Sequence, residues 1–267
     1  MKVVVDDKIP YIREALHTMG VEALYVAGSD IASAMVRDAD ALIVRTRTHI
    51  NKELLEGSRV RFVATATIGY DHIDQDYCRE AGIYWTSCPG CNAQAVCDYV
   101  EEAIATFNSS LFRGRSGEGL TIGIVGYGHV GKRVAQMAER KGYRVLLSDP
   151  PLGIGLSLEE MAPQCDILTF HTPLTRDGEY PTYHLCDANI LCRCKPGTLI
   201  INAARGGVID EQALLSQLST LNFQLSTAID CWENEPNLNQ ELLKHVDLAS
   251  YHIAGYSIQG KMNASEM

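Results

Sequence analysis

Residues 121–150, TIGIVGYGHVGKRVAQMAERKGYRVLLSDP, restrict this chain to few folds. A β-branched run leads into Gly126-x-Gly128-x-x-Gly131, an amphipathic helical pattern follows, and a second apolar run ends in Asp149. Each part matches what a dinucleotide demands of a strand-turn-helix. Gly126 permits the tight turn, Gly128 lets backbone approach a pyrophosphate, and Gly131 lets the helix pack closely on the strand. The helix start presents free N–H groups to phosphate oxygens. Asp149 can accept hydrogen bonds from both adenosine ribose hydroxyls, and its charge repels a 2′-phosphate, which favours NAD over NADP. The spacing alone is a weak signal; the strand before it, the helix after it and the terminal aspartate make it specific.

The same alternation runs along the whole chain. Strands are expected at 2–7, 22–27, 40–45, 61–66 and 83–87, with a helix opening at Pro10 and closing at Gly20 among them. A longer helical pattern covers 92–110, and a polar, glycine-rich break follows at 113–119. A second series of strands is expected at 120–126, 144–149, 166–171, 197–203, 224–230 and 246–252. Strands joined by helical crossovers form parallel sheets covered on both faces. The expected fold class is therefore α/β, with two doubly wound parallel-sheet domains.

Open parallel sheets bind ligands beyond the carboxyl ends of their strands. Those ends read Asp149, then His171-Thr172-Pro173, then Asn202-Ala203-Ala204-Arg205-Gly206, then Asp230 followed by CWENEP, and finally His252. An arginine, an acid and a histidine after different strands of one sheet suit hydride transfer at a 2-hydroxy acid. A guanidinium clamps a carboxylate through two parallel bonds. A histidine takes the hydroxyl proton, and a neighbouring carboxylate fixes its tautomer and favours its protonated form. Glu233 and Glu235 are both available for that last role, and each also reads as a solvated loop charge.

Composition removes several other classes. A formal net charge of -10 argues against nucleic acid or an anionic membrane surface as the main partner, and leaves a small anionic molecule open. The three valines of MKVVVDDKIP are too few for a signal peptide, and no apolar run approaches the ~18 residues of a membrane span. Nine cysteines in 267 residues, an odd number, read as reduced thiols in a cytoplasmic protein. Cys88 and Cys91, in SCPGC between a strand and a helix, have the spacing of a redox dithiol, and the helix start could lower the pKa of Cys88. Nothing else in the chain calls for a dithiol, so the reduced reading is preferred. No Cys/His set at zinc spacing appears, and no metal is expected.

GIVGYGHVG, INAARGGVID, AIDCWENEP and YHIAGYS resemble the signature blocks of the D-2-hydroxyacid dehydrogenases. TATIGYDHID, PGCNAQAV and FHTPLTRDGEYPTYHL extend the resemblance over almost the whole chain, toward members that oxidise a phosphorylated hydroxy acid in pyridoxal phosphate synthesis. The resemblance implies a flavodoxin-like substrate-binding domain over 1–95, to which 256–267 can return, and a Rossmann NAD-binding domain over 96–255. It implies Arg205, Glu235 and His252 as catalytic residues. NAD contacts fall at Gly126, Gly128, His129, Val130, Gly131, Asp149, Thr172, Ala203, Ala204, Asp230 and Gly255. Substrate contacts fall at Thr46, Thr67 and Tyr256; Arg45 and Arg47, beside Thr46, are read as phosphate-side cations. The resembled enzymes continue into a C-terminal dimerisation region absent from this chain, so a homodimer is expected of the full-length form. Two alternatives stay open: another family member, acting for instance on 3-phosphoglycerate, and a non-enzymatic NAD(H)-sensing protein akin to the related corepressors.

Overall fold

The computed structural model describes residues 1–112, 114, 117–220 and 225–266. Arg113, Arg115 and Ser116 of the expected break, Gln224 at the head of the expected strand 224–230, and Met267 lie outside the described residues. Chain contacts divide the molecule into two compact units, Met1–Asn92 with Tyr256–Met267, and Ala93–Gly255.

The first unit holds strands β1 (Lys2–Asp6), β2 (Glu22–Val26), β3 (Ala41–Val44), β4 (Phe62–Thr65) and β5 (Tyr84–Thr86), with helices α1 (Ile12–Thr18), α2 (Ser33–Val36), α3 (Lys52–Leu55) and α4 (Gln75–Glu80) between them. All its strands run parallel in the order β2-β1-β3-β4-β5, the flavodoxin-like arrangement. Val3, Val5, Ile12 and Leu16 pack on one face, and Val4, Leu42, Val44 and Val63 on the other. That two-sided burial is why β1 reads as a continuous valine run rather than an alternating one. The order reverses between β1 and β3, so the loops after Asp6 and Val44 flank the crevice where such sheets take ligands.

The second unit opens with α5 (Ala93–Phe107), which buries Val96, Cys97, Val100, Ala103, Ile104 and Phe107 at three- and four-residue spacing. It ends three residues short of the expected boundary, where Asn108-Ser109-Ser110 favour turns over helix. The sheet comprises β6 (Thr121–Val125), β7 (Arg144–Asp149), β8 (Ile154–Gly155), β9 (Ile167–Phe170), β10 (Leu199–Asn202), β11 (Ser226–Ile229) and β12 (Leu248–Ala249). Helices α6 (His129–Arg140), α7 (Leu158–Met161), α8 (Ala188–Arg193), α9 (Glu211–Leu218) and α10 (Gln240–His245) connect them. The order is β12-β11-β10-β9-β6-β7-β8, reversing between β6 and β9. Every residue of β6, β9 and β10 is buried, as helices on both faces require.

Two further features depart from the sequence reading. β8 is an additional, two-residue strand, antiparallel to β7; it is too short to leave a pattern. The last strand covers only Leu248–Ala249 rather than 246–252. Beyond it the backbone N–H of His252 bonds to the Asp230 carbonyl at 2.7 Å, and His252 takes a left-handed φ of 55°. The histidine therefore sits in a turn after the strand. The chain ends in α11 (Ile258–Glu266), which belongs to the first unit and contacts α1. The Asn263 side chain donates to the Cys91 carbonyl at 2.9 Å, and the Ser265 hydroxyl to the Pro10 carbonyl at 2.5 Å.

Candidate active site

Three loops at the carboxyl edge of the second sheet carry Arg205, Glu235 and His252. Asn202, buried at the end of β10, organises the first two. Its side-chain oxygen accepts from the Ala204 N–H at 3.2 Å, and its amide donates to the carbonyls of Arg205 (3.0 Å) and Cys231 (3.3 Å). The Arg205 loop lies so close to the Trp232 loop that a Cβ on Gly206 would stand 1.8 Å from the Trp232 carbonyl oxygen. Only glycine fits there.

The loop after β11 separates two acids that residue type alone left equivalent. Asn234, at a left-handed φ of 56°, lies between Glu233 and Glu235. Glu233 Oε1 pairs with His184 Nε2 at 2.8 Å, whereas Glu235 Oε2 pairs with His252 Nδ1 at 2.8 Å. Glu235 Oε1 also accepts the Trp232 backbone N–H at 2.8 Å, which fixes the carboxylate plane. Asp230, with no exposed surface, supports the histidine's backbone. Its carboxylate accepts from the Ser250 hydroxyl (2.6 Å), the Ile253 N–H (2.8 Å) and the Ala254 N–H (2.9 Å).

The pair is electrostatically biased. The hydrogen bond to Glu235 raises the His252 pKa above the ordinary imidazole value, against burial and the Arg205 charge, which lower it. Burial pushes the Glu235 carboxyl up, but the His252 hydrogen bond, the Trp232 N–H and the charges of His252 and Arg205 together hold it below the usual range. The Arg205 charge thus reaches both partners. A carboxylate on Nδ1 fixes the hydrogen there and leaves Nε2 as the nitrogen that can exchange a proton.

The residues expected to hold NAD flank the point where the second sheet reverses. α6 starts at Gly128, whose extended backbone makes no side-chain cap, and its first turn contains no acid. Its uncapped N–H groups and positive dipole end are therefore available to a pyrophosphate. Nothing lies within 4 Å of a Cβ placed on Gly128, whereas one on Gly131 would stand 2.0 Å from the Gly126 carbonyl oxygen. One glycine thus clears space for a ligand and the other lets the helix start touch the strand end. Across the reversal, the buried Thr172 hydroxyl has no hydrogen-bond partner among the described residues, a group that a bound cofactor can satisfy. Val130, Ala203 and Ala254 pack together with Val96 and Tyr99 as an apolar floor. Asp149 accepts from the Tyr127 N–H at 2.6 Å and the Leu152 N–H at 3.3 Å, holding its carboxylate at the end of β7. These residues fit a dinucleotide. Burial drives the neighbouring His171 down to about 3, so it stays neutral and cannot share the proton chemistry.

In the first unit, Thr46 and Arg47 are exposed in the loop after β3. The Thr67 hydroxyl bonds to Thr65 Oγ1 at 2.7 Å and to the Gly69 carbonyl at 2.9 Å. Arg45 is not a loose surface cation: its guanidinium grips the fully buried Asp6 through bonds of 2.9 and 3.0 Å. Tyr256 is exposed.

Sequence reasoning missed Asp6 and His184. Asp6 closes the valine run of β1, which was its available signal, whereas His184 lies between β9 and α8, where no strand end marks it. Cys88 is buried and donates to the carbonyls of Thr65 (3.4 Å) and Ala264 (3.3 Å). Burial lifts its thiol to about 11, so the pKa-lowering helix start weighed from sequence does not act, and the nine cysteines are free. Cys231, Glu235 and His252 bring donor atoms within 4.8 Å of one another. Burial pushes the Cys231 thiol well up, though, and Glu235 is already engaged.

Among the described residues, no helix is long and apolar enough to cross a membrane. Residues 94–254 match the D-isomer specific 2-hydroxyacid dehydrogenase, NAD binding domain. Erythronate-4-phosphate dehydrogenase of Bacteroides thetaiotaomicron is 49% identical over 274 residues, covering 100% of this chain and 78% of its own. The enzyme of that name from Cronobacter sakazakii is 47% identical, covering 98% of this chain and 70% of its own. Among solved structures, NAD+-bound 3-phosphoglycerate dehydrogenase of Entamoeba histolytica superposes with a TM-score of 0.82 at 27% identity, over 99% of this chain and 91% of that one. With that identity spanning its whole length and the NAD domain matched, the chain belongs to the D-isomer specific 2-hydroxyacid dehydrogenases, a family of NAD-dependent oxidoreductases.

Proposed function

We propose that the chain oxidises 4-phospho-D-erythronate to (R)-3-hydroxy-2-oxo-4-phosphooxybutanoate with NAD, a step of pyridoxal phosphate synthesis. The observation that carries this choice of substrate is the near-half identity, along the entire chain, to enzymes named for erythronate 4-phosphate. The His252–Glu235 pair under the Arg205 charge supports the chemistry.

NAD, when bound, supplies the hydride acceptor. Arg205 clamps the substrate carboxylate and orients the carbinol carbon. His252 Nε2 takes the hydroxyl proton as the carbonyl forms. Glu235 holds Nδ1–H and stabilises the imidazolium that results. Thr46, Thr67 and Tyr256 are further substrate contacts. Gly126, Gly128, His129, Val130, Gly131, Asp149, Thr172, Ala203, Ala204, Asp230 and Gly255 line the cofactor. Asp230 acts mainly through the backbone it anchors, because its carboxylate is already engaged by the chain. A cytoplasmic location, which the free cysteines support, and a homodimer complete the reading; sedimentation equilibrium reads the assembly state.

The test is NADH formation across a panel of 2-hydroxy acids. Turnover of 4-phospho-D-erythronate well above that of 3-phosphoglycerate is expected. Turnover of 3-phosphoglycerate alone would replace the substrate, and NAD binding without any turnover would favour the sensing reading.

A further inference from the structure

Tyr256 leads into α11 and is 74% exposed. Lys261, in the first turns of that helix, brings its ammonium to 3.6 Å from the centre of the Tyr256 ring. The nearby Lys261 ammonium, and then the charge of Arg45, pull the phenol below its ordinary pKa. Two cations therefore bear on one exposed hydroxyl, in a protein whose formal net charge is -10. Lys261 has no carboxylate partner in the described ion pairs. Arg45 uses only Nε and Nη2 on Asp6, so Nη1 takes no part in that pair. The buried carboxylate fixes where the guanidinium sits, at the loop bordering the sheet's reversal point.

We propose that Lys261, with the Tyr256 hydroxyl and Arg45, forms the subsite that takes the terminal phosphate of the substrate. The chemistry is that of a phosphomonoester dianion. An ammonium supplies a point charge with rotatable donors, a held guanidinium supplies directional ones, and the phenol donates its hydroxyl. Lys261 is then a specificity residue: it acts on the phosphate end and takes no part in the proton transfer. The proposal rests on the oxidation of 4-phospho-D-erythronate inferred above.

Steady-state kinetics on wild type, Lys261→Met and Lys261→Arg, with 4-phospho-D-erythronate and with D-erythronate, test it. The methionine variant keeps the aliphatic stem and should raise KM for the phosphorylated substrate about tenfold to a hundredfold, as loss of a charged hydrogen bond does. Its kcat should stay near wild type, and its activity on D-erythronate should not change. The arginine variant should recover most of the loss. An unchanged KM, or equal losses on both substrates, would overturn the assignment. Calorimetry with inorganic phosphate separates this from the substrate question. If wild type fails to oxidise 4-phospho-D-erythronate yet binds phosphate through Lys261, the substrate reading fails and the subsite stands. Phosphate binding that is absent, or equal in wild type and Lys261→Met, would sink the subsite.

Discussion

Glu235→Gln removes a charge while keeping a side chain of the same shape, and the hydrogen bonds dictate an unusual outcome. In wild type one carboxylate oxygen accepts the Trp232 N–H and the other accepts Nδ1–H of His252, both at 2.8 Å. A glutamine satisfies Trp232 only with its oxygen, which turns its NH2 toward His252. That NH2 must donate to Nδ1, so the ring hydrogen moves to Nε2, the atom required to accept the substrate proton. The level of hydroxy-acid oxidation should fall by about 10²–10⁴-fold, the usual contribution of a general base. Glu235→Ala leaves the ring free to adopt either tautomer and should lose less. Charge loss also moves the pH profile. Oxidation uses neutral His252, and Glu235 raises the pKa of that histidine, so wild type gains activity only above the ordinary imidazole range. Removing the carboxylate removes that lift, so the acid limb of kcat/KM in Glu235→Ala should shift downward. Initial rates of NADH formation across pH decide both points. A glutamine variant as active as the alanine variant or better, or an unshifted limb, would refute the reasoning.

Three further outcomes follow from the same geometry. His252→Ala should reduce turnover by about a hundredfold or more, with NAD affinity retained, measured by rates alongside fluorescence titration of the cofactor. Asp149→Ala should weaken NAD and narrow its advantage over NADP, read as the ratio of kcat/KM for the two cofactors. Gly131→Ala places a Cβ 2.0 Å from the Gly126 carbonyl oxygen; overpacking of about 3 kcal/mol should lower the melting temperature by roughly 6–12 °C in calorimetry.

Much of the architecture was legible because burial writes itself into sequence. β6, β9 and β10, buried on both faces, appear as mainly apolar runs, each with a single polar residue, and the helix face of α6 repeats Gly131, Val134, Ala135 and Ala138. β8 escaped because two residues carry no period, and β12 appeared too long because its apolar pattern continues into a turn. The candidate site was legible as residue types at strand ends, but not as pairs. Glu233 and Glu235 differ by two positions in one loop, and the left-handed Asn234 sends one to His184 and the other to His252. Periodicity says nothing of such a turn. Arg45 is similar: sequence shows a cation near a strand end, while its fixed position depends on Asp6, 39 residues earlier.

4-Phospho-D-erythronate labelled with deuterium at C2 tests the central claim most directly. With the label in place of the carbinol hydrogen, turnover should deliver deuterium to the reduced cofactor, none to water, and leave a 2-oxo acid product detectable by mass spectrometry. Release of the deuterium to solvent without NADH formation, or an inert substrate, would contradict the account.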